Sequence, residues 1–490
     1  MTILYKNGFK AVIGLEIHAQ VVSHSKMFSG APSHVFGQDP NTCVSFVDVA
    51  FPGMLPVLNE ACVHQAVALG LGVGGTINAQ SIMERKHYMY PDNPSGYQIS
   101  QYRTPLVSGG TMTIVDDQGE KKAVRLNRIH IEQDAGKSMH DQHDQMSCID
   151  MNRAGVGLME IVSEPDLNTP DEVIRYVKEF RCLMRHFGVC HGDMEKGNLR
   201  VDANISIHLP NTPLGTRVEL KNMNSLRFLR AAIIYEIERQ IHCLDTGKDI
   251  VQETRMFDIN TGKTVSLRTK ETATDYFYFP DPDLPPVIVT DDVVHAIKKH
   301  LPETPWAKKD RFMNDYGLSD YDATLLVEDH TIARFFDDAM QHTTETDAGK
   351  SLANCMIGDL FAALKEHAMT LNDCPIAPAH MGQLADSMAR KELSNVLTKK
   401  VFALMFDTGK DPKTIMTEHN LVQVSDEGIV QTWINDVLAQ NTDKVHDYFN
   451  GKDKLFGFFV GQVMKLSAGK GDPQAITHLL KTELDRRKKP

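Results

Sequence analysis

The chain has 490 residues, too many for one hydrophobic core and enough for two to four domains. Its 42% hydrophobic and 24% charged content is ordinary for a globular protein, and no run of about 18 apolar residues signals a membrane span. A net charge of −12 argues against indiscriminate nucleic-acid binding but leaves room for a local basic surface.

The first residues, Met1 to Lys6, carry neither an apolar signal core nor an Arg/Ser-rich leader, so the cytoplasm is the expected location. The eight cysteines are scattered without a Cys-x-x-Cys pair, as expected of reduced, partly buried thiols. Val12–Gln20 alternates as a strand, with Glu16 and His18 on one face. Polar residues then crowd into Gly- and Pro-containing tracts: Arg85–Gln101, Asp150–Asp166, Gly192–Arg200 and Glu219–Ser225. Loops of this kind, presented by a sheet, are where sites tend to be built.

Ile129–Ser138 ends in Gly136-Lys137-Ser138, like a phosphate-binding loop. Such a loop needs Gly five positions before its second Gly, and Ile131 stands there. A β-branched residue is poorly suited to positive φ, so the loop reading fails. Gly262-Lys263-Thr264 fails the same test at Phe257. What remains is two acids and a His beside a Gly turn, either a corner for a hard cation or a polar strand end.

Thr169-Pro170-Asp171-Glu172 signals a helix start with Pro at its first position, and Gly188 follows its end. Val201–Ile207 alternates strictly, placing Asp202, Asn204 and Ser206 on one face. A second helix begins near Ser225, with Leu229, Ile233, Ile237 and Ile241 at i,i+4 spacing. Phe279–Pro286 is too rich in proline for a helix and has few donors for a sheet, so it reads as a domain boundary or a rigid surface loop. The pattern is helical from there on, with a turn at Tyr316–Leu318 and a second shift at Asp407–Pro412. From Gly451 to Pro490 there are nine Lys/Arg against four Asp/Glu. From residue chemistry alone, the crowded acids suggest a Mg²⁺-dependent phosphate site.

These tracts also resemble one family, the B subunit of aspartyl/glutamyl-tRNA amidotransferase. Tyr90-Pro91-Asp92 with Gly96–Gln101, Glu160–Asp166, Leu199–Asn204, Asp275–Leu284 and Gly457–Lys465 carry the resemblance, which runs from Val12 to Pro473. It implies an α+β fold. A cradle-like antiparallel-sheet catalytic domain holding ATP and metal would span 1–295. An all-α helical domain would span 296–405, and a small YqeY-like helical tail module that binds tRNA would span 406–490. The implied enzyme is a ligase that phosphorylates the side-chain carboxylate of misacylated Glu-tRNA(Gln), Asp-tRNA(Asn) or both. Ammonia channelled from an amidase A subunit would then displace phosphate. A small C subunit would make the assembly a heterotrimer.

Carried over by position, Glu16, His18, Glu132 and Glu160 match the family's metal ligands, for Mg²⁺ or Mn²⁺ in its place. Glu132, Arg153 and Arg200 are the expected catalytic residues, the two arginines as clamps on phosphate or carboxylate or as structural ion pairs. Lys86, Tyr90, Asp202 and Asn204 are expected around ATP. The basic excess after Gly451 would contact tRNA phosphates.

The chain departs from the family pattern in three places. Many members hold a structural zinc between the first strand and a Pro-Gly turn, but only Cys43 stands in that region, so no such zinc is expected. Relatives commonly place Lys at Ser95 and an acid at Gln133, positions tied to the ammonia route; Lys86, tied to it as well, is retained. Losing one charge of such a pair would strand the other, so the two are expected to have changed together. An archaeal-type paralogue with a large inserted domain is a poorer match, because Pro286 leads directly into Val287-Ile288-Val289. A non-catalytic tRNA-binding scaffold of the same fold is the alternative from another class.

Overall fold

Alternation of apolar and polar residues makes Lys10–Gln20 the central strand β1, with Ile13, Leu15 and Ile17 on its buried face and Glu16 and His18 on the other. The computed structural model describes residues 5–139, 142–143, 145–269, 276–421, 427–467 and 470–488. Met1 to Leu4, Asp275 and the final Lys489-Pro490 lie outside the described residues. The chain divides into two units, Met1–Thr304 and Pro305–Pro490.

In the first unit Glu84–His87 (β2), Tyr97–Ser100 (β3), Thr111–Val115 (β4), Lys121–Gln133 (β5), Gly157–Ser163 (β6), Leu199–His208 (β7), Val218–Lys221 (β8), Glu253–Asp258 (β9), Lys263–Thr269 (β10) and Phe277–Pro280 (β11) follow in order. Ten strands form the main sheet, in the order β10-β9-β8-β7-β1-β6-β5, continued by Val107–Ser108 and Thr76–Ile77, with β4 also on β5. Its named pairs are antiparallel except β8 with β9, which run parallel, so the sheet is mixed where an antiparallel one was expected. A three-stranded sheet, β11-β2-β3, stands apart from it. One face of the main sheet is apolar and covered by helices, the usual condition of a sheet with one polar face.

Those helices are Glu60–Gly72 (α1), Pro170–His186 (α2) and Leu226–Asp245 (α3). Thr169 caps α2 by accepting from the Glu172 N–H, and Ser225 caps α3 by accepting from the Phe228 N–H. Both starts fall where the sequence put them. Asp291–His300 (α4) belongs to the first unit as well, with Val293 and Ile297 packed on its core. A boundary between 295 and 296 would therefore cut a helix, and the unit ends at Thr304.

Phe279–Pro286 is not a domain boundary. Phe279 and Pro280 pair with β2, and Asp281 is buried against the Arg85 guanidinium at 2.8 Å. The tract is an internal strand and turn because β2 supplies the donors that its own prolines lack.

The second unit is helical and has two separate apolar cores. Tyr316 ends one helix and Gly317 turns at φ +62, as expected. Gly409 closes Asn395–Thr408 in the left-handed region, but the same core continues through Ile415 and Met416. The tail core gathers Val430, Ile434, Phe459, Val463, Ile476 and Leu480. Arg486 and Arg487 both hydrogen-bond Glu483, and Arg487 also donates to Asn435, so part of the basic run serves the fold. No helix among the described residues is long and apolar enough to cross a membrane.

Candidate functional site

Strand register assembles the site. Opposite His18 on β1 stand Arg200 on β7 and Glu160 on β6, and opposite Glu160 stands His130 on β5. Residues directly opposite share a face, so Arg200, His18, Glu160 and His130 form one row across four strands. Two residues along β5, Glu132 joins the same face. The period-2 alternation that buries Ile17, Ile129, Ile131, Ile161 and Val201 beneath the sheet turns these polar groups outward.

His18, Glu132 and Glu160 each present a ligand atom within 4.8 Å of the other two. His18 Nε2 lies 3.5 Å from Glu160 Oε2. His130 Nε2 lies 3.4 Å from Glu160 and 3.8 Å from Glu132. Ser100 donates to Glu132 Oε2 at 2.9 Å, and Lys86 Nζ is 3.9 Å from the same oxygen. The site is buried, which raises every carboxylate pKa by desolvation, yet the neighbouring cations reverse this. Lys86 and then His130 hold Glu132 below its ordinary range, and His130 and His18 hold Glu160 well below it. Burial disfavours the charged imidazole of His130, but Glu160 and Glu132 outweigh it and push the ring up to about 9. A bound cation would cancel that pull. The Arg128 Nε–H, 3.3 Å from His130 Nδ1, then favours the neutral ring with its proton on Nε2.

Two carboxylates and one imidazole, buried on a rigid sheet, suit a small divalent cation that keeps several waters. Glu16 is not in that set. It sits with Asp202 and Glu219 in a neighbouring cluster, where Lys221 Nζ lies 2.5 Å from Asp202 and 3.0 Å from Glu219. Asn204 donates to Glu16 at 2.9 Å. Burial and Glu160 raise the Glu16 pKa, which makes it a poorer anion than Glu132. The four expected metal positions thus fall into two clusters, and the second already contains an ammonium.

Both expected arginines pair with Asp134, the structural alternative to a clamp, Arg153 at 3.7 Å and Arg200 at 2.8 Å. Arg153 donates to the backbone oxygens of Ala135 (3.0 Å) and Gly136 (2.6 Å) and fixes the turn after β5. Arg200 donates to Asp134 at 2.8 Å, while its Nε meets no acceptor among the described residues. Space at Gly136 is tight: a Cβ would lie 3.0 Å from the Asp150 carbonyl oxygen and 3.1 Å from that of Asp92. Tyr90 is 59% exposed in a turn beyond β2, outside the row; the tyrosines beside Lys86 are Tyr276, which it approaches at 5.1 Å, and Tyr278, opposite it on β11. Ser95 and Gln133 line one polar cavity of about 130 Å³ with Asp92, Asp134 and Asp48, although no hydrogen bond joins the two.

The residues assigned roles from sequence do not include Glu219 or Lys221, while His130 and Asp134 figure there only as the His and one of the two acids beside the Gly turn. Ile129-His130-Ile131-Glu132 carried the signal, since strict alternation puts His130 on the face of Glu132. The segment before the Pro-Gly turn is pinned by a buried ion pair, Lys26 to Asp48 at 3.0 Å, with Ser29 and the Ser45 N–H also donating to Asp48. No disulfide joins the eight cysteines, and burial pushes the Cys62, Cys190 and Cys355 thiols up to about 12.

The family described as GatB/GatE catalytic domain matches residues 11–295, and the one described as GatB domain matches residues 334–484. The B subunit of the aspartyl/glutamyl-tRNA(Asn/Gln) amidotransferase of Rickettsia felis is 49% identical over 474 residues, 97% of each chain. The subunits of the same name from Rickettsia bellii and Orientia tsutsugamushi are 50% and 47% identical over 473 residues, 96% of this chain in both cases.

Proposed function

The chain belongs to the GatB family of amidotransferase B subunits, and on that premise we propose that its polar sheet face activates an aminoacyl-tRNA carboxylate by phosphorylation. A carboxylate is a poor acyl donor because its leaving group would be oxide. An oxygen of the Glu-tRNA(Gln) or Asp-tRNA(Asn) side chain bonds to the γ-phosphorus of ATP as the bond to ADP breaks. Ammonia then bonds to the acyl carbon, the bond to phosphate breaks, and the proton shed by nitrogen goes to phosphate. The activity is that of an ATP-dependent carbon–nitrogen ligase. It works in the cytoplasm with a small C subunit, and with an amidase A subunit that supplies the ammonia.

The observation that carries this reading is the buried set His18, Glu132 and Glu160, with Lys86 beside it. Mg²⁺, or Mn²⁺ in its place, would be held by those three residues and would offset charge building on the phosphoryl oxygens. Phosphoryl transfer needs positioning and charge neutralisation more than covalent help, and a strand register is a rigid way to supply both. Lys86 adds a fixed cation at the edge of the set, and Arg200 a guanidinium whose Nε is still without an acceptor among the described residues. Lys221 bridges Asp202 and Glu219 and offsets part of their charge, so the incoming anions meet less repulsion from the second cluster.

The test is ATP hydrolysis dependent on charged tRNA, with and without Glu132→Ala. We expect a fall of at least about 100-fold with tRNA binding retained. Hydrolysis unchanged by the substitution, or absent from the unsubstituted protein, would favour a non-catalytic tRNA-binding scaffold.

A further inference from the structure

Lys86, Tyr278 and Gln98 stand opposite one another across β11, β2 and β3, on the face toward Glu132. Tyr276, two residues from Tyr278, shares that face. Just after β3, Tyr102 lays its ring on Tyr278 at 4.5 Å between centroids and 14° between planes. This is an offset stack of two tyrosines at the edge of the acidic set, and Tyr102 is 49% exposed.

The stack is built, not incidental. Glu84 is 1% exposed, and one of its oxygens accepts both the Tyr102 and the Arg103 backbone N–H at 2.9 Å. Burying a carboxylate is costly unless it is hydrogen-bonded, and here its bonds fix the chain that carries the outer ring. A rigid, half-exposed aromatic ring, stacked on a second ring that stands opposite a cationic Lys, is an arrangement that receives a flat base whose phosphates lie on the charged side.

We propose that Tyr102, backed by Tyr278, is the stacking surface for the adenine ring of the nucleoside triphosphate, with Lys86 toward its phosphates. This rests on the ATP-dependent reading above and extends it to a base subsite. Stacking selects a π-face rather than a hydrogen-bond pattern, so the surface tightens nucleotide binding without reading the base edge.

The experiment compares equilibrium binding of ATP and of inorganic triphosphate to the full chain in the presence of Mg²⁺. The unsubstituted protein should bind ATP more tightly than triphosphate. Tyr102→Ala should lose about tenfold in ATP affinity with triphosphate affinity unchanged, while Tyr102→Phe keeps the ring and the affinity. An unaltered melting temperature in both variants shows that folding is intact, as expected for a half-exposed side chain. If Tyr102→Ala leaves ATP affinity unaltered, or instead weakens only charged-tRNA binding, the adenine assignment is overturned while triphosphate binding at the acidic set stands. If neither triphosphate nor ATP binds the unsubstituted protein, the ATP-dependent function fails and the subsite with it.

Discussion

His130 is 3% exposed and reaches two carboxylates with one nitrogen while Arg128 meets the other. A ring held at both nitrogens orients the oxygens of Glu132 and Glu160 without being one of the three convergent donors. Outer partners of this kind are worth about 10–100-fold in metal affinity. His130→Leu should therefore weaken Mn²⁺ binding by that factor in a titration. His130→Gln, whose amide can donate from a similar position, should recover most of it; equal losses in both would mean the residue only fills space. Ser95 and Gln133 belong to the same scale. They line one cavity, so the expectation that they changed together concerns neighbours. Gln133→Glu should lower glutamine-dependent amidation, and Ser95→Lys added to it should restore activity. Full activity and unaltered metal affinity in the single variant would end the pairing idea.

At the scale of elements, legibility followed locality. Caps are local, so Thr169 and Ser225 announced α2 and α3 correctly. Strand alternation is local too, and it placed Glu16 with His18 and Asp202 with Asn204. Pairing is not local. β11 joins β2 across nearly two hundred residues of chain, and the proline-rich tract offered no local sign of its partner. A helix in the second unit carries a further testable feature. Asp386, on Pro378–Ala389, accepts the Thr344 and Glu345 N–H groups and the Thr344 hydroxyl. Burial raises its pKa, but these bonds outweigh that and hold it below the usual carboxylate range. With a depressed folded value, the unfolded chain takes up protons first on acidification. The stabilisation is thus full above about pH 4 and is lost as pH falls through the folded value. Asp386→Asn should cost about 2 kcal/mol at neutral pH and flatten the acid limb of the stability curve measured by urea unfolding. An acid limb unchanged by the substitution would remove the residue from this role.

For the whole molecule, each unit has its own apolar core, and the second unit has two. The proposed metal donors, His18, Glu132 and Glu160, all come from the first unit, whereas the tail core lies wholly after residue 426. Deleting residues 427–490 leaves Ile415 and Met416 in the preceding core, a cleaner cut than one at the expected tail boundary of 406. That truncation should raise KM for charged tRNA several-fold while Mn²⁺ affinity stays the same. An unchanged KM would take tRNA contact away from the tail.

The order of residues was enough to give the class of fold, the starts of the principal helices, the faces of two strands and the family, because each depends on neighbours in the chain or on long motifs. It also singled out His18, Glu132 and Glu160, which the folded sheet brings together. It could not say that Glu16 would sit with Lys221, that Arg153 would hold a turn, or that His130 would stand in a row with His18. Those outcomes depend on which strand lies beside which and in what register. Register is set by the shared burial of the opposite face, where a slip of one residue would exchange the apolar and polar sides of every strand.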